Sequence, residues 1–350
     1  MRWSPLVVAA LLAACAAPRP QPSASEARAL IARYIPASVA DREAWAADIY
    51  TPMAVLEIPV TPENVCAIVA VTEQESGFHV DPAIPDLPRI ARAEIERRRE
   101  KLGIPELVLD AALSVKSTNG KTYRERLDHV RTERDLSDLY EDFIGRIPLG
   151  RTLLESRNPV RTGGPMQVNV DFAREQAKEK PYPYAVVESI RDEVFTRRGG
   201  MYFGIAHLLD YRAPDYDAPL YRFADYNAGR YASRNAAFQA ALATLTGRKL
   251  ALDGDLRGNT EAAALSLERQ LRMDASEIRG DLERHHRLEF ESTPLYRKVF
   301  ELADAREGRR AARAILPVIE LHTPKTTRRL TTAWFAERVA ARQKRCLAHG

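Results

Sequence analysis

Apolar positions recur at helical spacing along most of the chain, and strand-like alternation is scarce, so the pattern predicts a mostly α architecture. The most apolar internal stretch is Thr61–Phe78, TPENVCAIVAVTEQESGF. Thr61 followed by Pro62 reads as a helix N-cap with proline at the first helical position. From Cys66 to Val71 no side chain is polar apart from one thiol, and a helix apolar on all sides is a buried helix. Gly77 marks its stop. Just before the stop stand Glu73, Gln74, Glu75 and Ser76. Helical spacing puts Glu75 on the line through Val65, Ile68 and Thr72, so one carboxyl group extends a core-facing stripe. Burial and the negative end of the helix dipole both oppose its ionisation, and a carboxyl group kept protonated near neutral pH suits a general acid.

The same pattern organises the rest. Ser23 with Glu26 forms a capping box that opens a helix through about Tyr34. A second helix runs from Asp41 towards Tyr50 with Trp45, Ala46 and Ile49 inward. Residues 79–157 read as a long helical excursion: a Pro-rich turn, the charged helix ARAEIERRREKLGI, the segment ELVLDAALSV after Pro105, a turn at Ser117–Gly120, and the helical stretch TYRERLDHVRTERDLSDLYEDFIGRI up to Pro148. Asn158–Val170 (NPVRTGGPMQVNV) breaks the pattern as a glycine- and proline-containing loop. MYFGIAHLLDY is a further apolar helix, and helices flank Asn227-Ala228-Gly229. After a polar crossing (LALDGDLRGN) the chain continues helical, so residues 23–247 read as a principal domain and 248–350 as a C-terminal helical region.

The N-terminus changes the picture. A short basic start and PLVVAALLAAC read as a signal peptide over residues 1–14, too short to span a bilayer. Leu12-Ala13-Ala14-Cys15 resembles the lipobox of bacterial lipoproteins, which implies cleavage before Cys15, lipidation of that cysteine and a Pro-rich tether over 15–22. The residue after the cysteine is alanine rather than aspartate, favouring the periplasmic face of a Gram-negative outer membrane. Composition adds little: 350 residues, 45% hydrophobic, 29% charged, formal charge +4. Basic and acidic residues interleave, whereas a nucleic-acid binder concentrates a basic face, so nucleic acid is set aside as a partner. Two cysteines remain beyond Cys15. Cys66 and Cys346 either pair in an oxidising periplasm or stay reduced and apart.

Three segments in order carry a family resemblance. Glu75-Ser76-Gly77-Phe78 resembles the "ES-x-F" element of soluble lytic transglycosylases, a lysozyme-like family. Gly164-Pro165-Met166-Gln167-Val168 resembles that family's "GLMQ" loop, with proline in place of leucine. Tyr226-Asn227-Ala228-Gly229 matches "YNAG", and Gly200–Leu209 resembles the helix before it. The resemblance spans residues 60–245 and implies a lysozyme-like helical domain. Ninety-one positions (166 − 75) separate Glu75 from Met166, which makes 79–157 a large helical insertion beside the cleft. The pattern also resembles an uncharacterised family of proteobacterial lipoproteins.

What the resemblance implies is specific. Most glycoside hydrolases use two carboxylates; lytic transglycosylases use one glutamate. Glu75 would protonate the leaving oxygen of a MurNAc–GlcNAc bond of peptidoglycan and then accept the C6 hydroxyl proton as a 1,6-anhydro ring closes. Tyr226 would donate to Glu75 or to an N-acetyl group. Ser76, Gly164, Met166, Gln167 and Asn227 would contact the glycan. Each has a plainer role open to it: Glu75 as a surface acid, Met166 as core, Ser76 as a helix-end hydroxyl, Asn227 as a turn residue. Glu73 is the rival acid on another face of the helix. His285-His286 lacks ligand-spaced partners, His207 reads as a packed core histidine, and there is no GxSxG, Walker loop or zinc-type CxxC, so neither metal nor cofactor is expected. The competing reading is a peptidoglycan-binding or scaffolding lipoprotein without turnover; hydrolysis needs a second acid that spacing does not locate.

Overall fold

The computed structural model describes residues 22–321 and 330–349. The signal segment, Cys15 and the tether up to Gln21 lie outside the described residues. Among the described residues helices dominate, and the strands are two short antiparallel pairs, Thr162–Gly163 with Val168–Asn169 and Glu320–Leu321 with Leu330–Thr331.

The central helix spans Pro62–Glu75. Thr61 caps it, its hydroxyl accepting from the Asn64 amide at 3.3 Å, and every residue from Val65 to Thr72 is buried. Around it pack the helices Ala24–Tyr34, Arg197–Leu209 and Thr332–His349. Just beyond its end Phe78 sits edge-on to Trp45, ring centroids 5.2 Å apart.

Two smaller clusters flank this core. One joins the helix Ala232–Thr246 to Pro294–Glu307 through Phe238, Phe290, Tyr296 and Phe300. The other lies within the 79–157 excursion, where Leu87, Tyr123, Leu127 and Leu139 form a core of their own. The Tyr123 hydroxyl donates to Asp142 at 2.9 Å, and burial followed by that carboxylate pushes it up to about 12. Buried Arg191 fastens the excursion to the body by donating to Ser137 Oγ (3.3 Å) and to the Val160 carbonyl (3.0 Å).

Two sequence readings need correction. The stretch TYRERLDHVRTERDLSDLYEDFIGRI is two helices, Tyr123–Asp128 and Glu133–Gly145, because Thr132 and Asp135 form a second capping box that restarts the chain. Residues 248–350 are not one unit. Their first part belongs to the flanking cluster, whereas Phe335, Ala336 and Val339 of the C-terminal helix are buried in the main core. Amphipathic spacing shows that a helix has an inner face but not which core receives it. Here a Cys66–Cys346 disulfide pins the last helix to the middle of the central one, with Cα atoms 5.6 Å apart.

Candidate functional site

A groove of about 1390 Å³ runs past the end of the central helix and gathers residues from widely separated segments. The helix contributes Gln74 and Glu75. The hairpin contributes Thr162, Gln167 and Val168, and Asn169 at its end caps the next helix by accepting from the Asp171 and Phe172 amides at 2.8 and 3.1 Å. That cap sets Phe172 in the wall. The turn Tyr226–Ala232 forms another side, and Trp334 and Phe335 of the C-terminal helix line it as well.

Glu75 is half-buried rather than fully enclosed. Tyr226 is its close neighbour: the phenol is held well above its ordinary range, by burial first and by the Glu75 charge second. Its hydroxyl, expected to donate to Glu75 or to an N-acetyl group, donates instead to the Met166 carbonyl at 2.6 Å. Tyr226 is thus a strut between its helix and the hairpin turn. Met166 is 0% exposed and lies over Gly204, where an added Cβ would meet its sulfur at 2.5 Å. It is core, not groove surface. Gly164 has φ +72° and sits so near the Val194 carbonyl that a Cβ would fall 2.1 Å from that oxygen. Its freedom serves this close approach beneath the groove rather than contact with a sugar.

Gln167 does reach the groove, from a left-handed φ of +50°, with its amide donating to the Gly164 carbonyl at 3.2 Å. Asn227 is exposed on the rim and accepts from Thr332 Oγ1 at 3.1 Å. Ser76 Oγ turns back to the Thr72 carbonyl at 3.2 Å, a helix-end bond away from the groove wall. The rival acid Glu73 is engaged elsewhere, paired with Arg342 (3.3 Å) and Arg345 (3.7 Å) of the C-terminal helix.

A second cleft of about 360 Å³ shares Glu75 and Gln167 with Pro82–Pro85 and Glu133 of the excursion. The excursion therefore borders the site and brings a second carboxylate to it. Sequence spacing could not reveal Glu133, which lies 58 positions (133 − 75) beyond Glu75. Trp334 and Arg230 were missed for a similar reason, since neither is in a motif and only tertiary packing delivers them. His207 lines the groove from the Arg197–Leu209 helix, with Nε2 at 3.2 Å from the Tyr226 carbonyl; burial first, then the Arg230 cation, depress it to about 3, so the ring is neutral. Among the described residues there is no cluster of three side chains able to hold a metal ion.

Residues 38–349 match the family described as "Protein of unknown function (DUF1615)". The chain belongs to the DUF1615 family. It is 49% identical to the "Uncharacterized protein YaiW" of Escherichia coli strain K12 over 354 aligned positions, covering 98% of this chain and 96% of that protein. No solved structure matches it. These findings correct the soluble lytic transglycosylase assignment: the match extends over nearly the whole chain, excursion and C-terminal helix included, and it is to DUF1615 and not to any lytic transglycosylase or lysozyme-like family. Three short elements in order do not define membership when the match over nearly the whole chain is to another family.

Proposed function

We propose that this DUF1615 protein is a lipid-anchored periplasmic protein that cleaves the glycan strands of peptidoglycan, with Glu75 as acid and base. The observation that carries the reading is convergence. Segments around residues 75, 167 and 226, far apart in sequence, meet in one groove of about 1390 Å³. Within it a half-buried carboxyl group stands among amide and aromatic side chains, a combination suited to N-acetylated sugars. Trp334 offers a flat apolar surface to the C–H face of a pyranose ring. The Cys66–Cys346 bond fits an oxidising compartment, as does the lipobox-like start.

In the proposed reaction Glu75 gives its proton to the leaving glycosidic oxygen of a MurNAc–GlcNAc linkage. The resulting carboxylate takes the proton of the MurNAc C6 hydroxyl as that oxygen bonds to C1. A 1,6-anhydro end results, without net consumption of water. Glu133 supports a second reading, hydrolysis, because a carboxylate across the smaller cleft is suited to activating water. The third is glycan binding without turnover.

Mass spectrometry of soluble products from purified sacculi separates them. Anhydro ends from the wild type and not from Glu75→Gln support the first reading, and reducing ends that vanish in Glu133→Gln support the second. No release by the wild type sinks both and leaves binding.

A further inference from the structure

Arg230 follows the Tyr226–Gly229 turn and reaches the groove wall. Its guanidinium carbon is 4.7 Å from the Phe172 ring centroid and 5.3 Å from that of Tyr211, so aromatic rings hold it in place. Two of its nitrogens are anchored: Nη2 donates to the Ala206 carbonyl at 2.6 Å and Nε to the His207 carbonyl at 3.3 Å. Among the described residues Nη1 makes no hydrogen bond, and no carboxylate lies within ion-pair distance of the group.

The acids nearby do not fill that role. Asp210 is held by Lys180 at 2.6 Å and by Gln176 at 3.0 Å. Glu179 acts on Arg230 only through space, and Glu289 shares the wall without pairing to it. Burial is the largest influence on Arg230 and lowers its pKa, so this cation is maintained against a desolvation cost. Two further cations line the groove, Arg212 and Arg287, both exposed and in no ion pair with a described residue, alongside the acids Glu175, Glu179, Asp210 and Glu289.

A fixed, partly desolvated guanidinium without a carboxylate is costly to keep alone and well shaped to receive one. We infer that the end of the groove around Arg230, Arg212 and Arg287 is a carboxylate subsite, so that the ligand is an acidic glycan rather than a neutral one. The inference rests on reading the groove as a glycan cleft. Peptidoglycan carries carboxylates in two places, the lactyl group of a muramic residue whose stem has been removed and the peptide stem itself.

The test is calorimetric titration of the full chain, carrying Glu75→Gln to suppress turnover, with four probes. They are a neutral GlcNAc tetramer, stem-free glycan fragments with lactyl carboxylates, fragments bearing tetrapeptide stems, and the N-acetylated tetrapeptide alone. At least one carboxylate-bearing glycan should bind tenfold or more tighter than the tetramer at low salt, and which one gains identifies the source. Adding Arg230→Gln should abolish the gain and leave tetramer affinity unchanged. If that variant melts early, Arg212→Gln with Arg287→Gln should reduce the gain severalfold and flatten its salt dependence. Equal affinity for all glycans, or equal weakening of neutral and acidic ones by Arg230→Gln, overturns the inference. If no glycan binds, the cleft reading fails, and the tetrapeptide decides the subsite separately: Arg230-dependent binding keeps it, and no binding removes it too.

Discussion

Reduction of the Cys66–Cys346 disulfide should loosen the wall of the groove as well as destabilise the chain. The bond closes a loop across a sequence separation of 280 residues. Chain-entropy arithmetic for a loop of that length gives about 5–6 kcal/mol at 25 °C, and native disulfides removed from other proteins cost about 2–5 kcal/mol. Taking about 2–3 kcal/mol from the lower part of that range and about 2 °C per kcal/mol for a large domain, the melting temperature should fall by roughly 4–6 °C. The helix that the bond fastens also carries Trp334 and Phe335, and it is held as well by Phe335, Ala336 and Val339 in the main core, by the Gln343 amide donating to the Glu63 carbonyl at 3.1 Å, and by ion pairs from Arg342 and Arg345 to Glu73. Those pairs are partly exposed and add little. The assay is a thermal melt of oxidised and reduced protein, with free thiols counted in the same samples, and Cys66→Ala with Cys346→Ser as a reductant-insensitive control. Two titratable thiols appearing with no change in melting temperature would refute the reasoning.

Other outcomes follow from the same contacts. Tyr226→Phe leaves the buried Met166 carbonyl without its donor and should cost about 1–3 kcal/mol in urea unfolding; an unchanged midpoint and slope would show that Tyr226 is no strut. His207 is depressed in the fold to about 3 and returns to its ordinary 6.5 on unfolding, so the unfolded chain binds the extra proton between those values. Stability from this residue is complete above pH 6.5 and is lost as pH falls towards 3, at up to about 1.4 kcal/mol per pH unit. A His207→Gln protein should lack that part of the slope, and identical pH dependence in both proteins would contradict the burial. Trp334→Ala should weaken binding of soluble glycan fragments about tenfold, equivalent to about 1.4 kcal/mol, without lowering the melting temperature by more than a few degrees; undiminished affinity would remove Trp334 from the sugar contact.

Local chemistry in the sequence was legible where neighbouring residues decide the structure. Thr61-Pro62 and Ser23-Glu26 announce helix starts that the fold bears out, and the run Cys66–Val71 announces a buried helix. Cys66 and Cys346 could be named as a possible pair, but their approach depends on where the last helix docks. Within the 79–157 excursion TYRERLDHVRTERDLSDLYEDFIGRI read as one helical stretch because a capping box inside a periodic pattern is easy to overlook at Thr132–Asp135. At the groove, Glu75, Gln167 and Asn227 are exposed to it, while Met166 and Gly164 support it from beneath. Sequence spacing cannot distinguish a residue in a wall from the residue packed behind it. Arg230, Glu133 and Trp334 enter through tertiary contacts between distant segments, and those leave no periodic trace.

The proposed chemistry is tested most directly by clearance of a sacculus suspension, followed for the wild type and Glu75→Gln at matched concentration, with co-sedimentation measuring how much of each protein the sacculi hold. Loss of a general acid should slow clearance by about 10²–10⁴-fold while Glu75→Gln co-sediments as the wild type does. Equal clearance rates for two proteins that bind equally would contradict Glu75 as the acid.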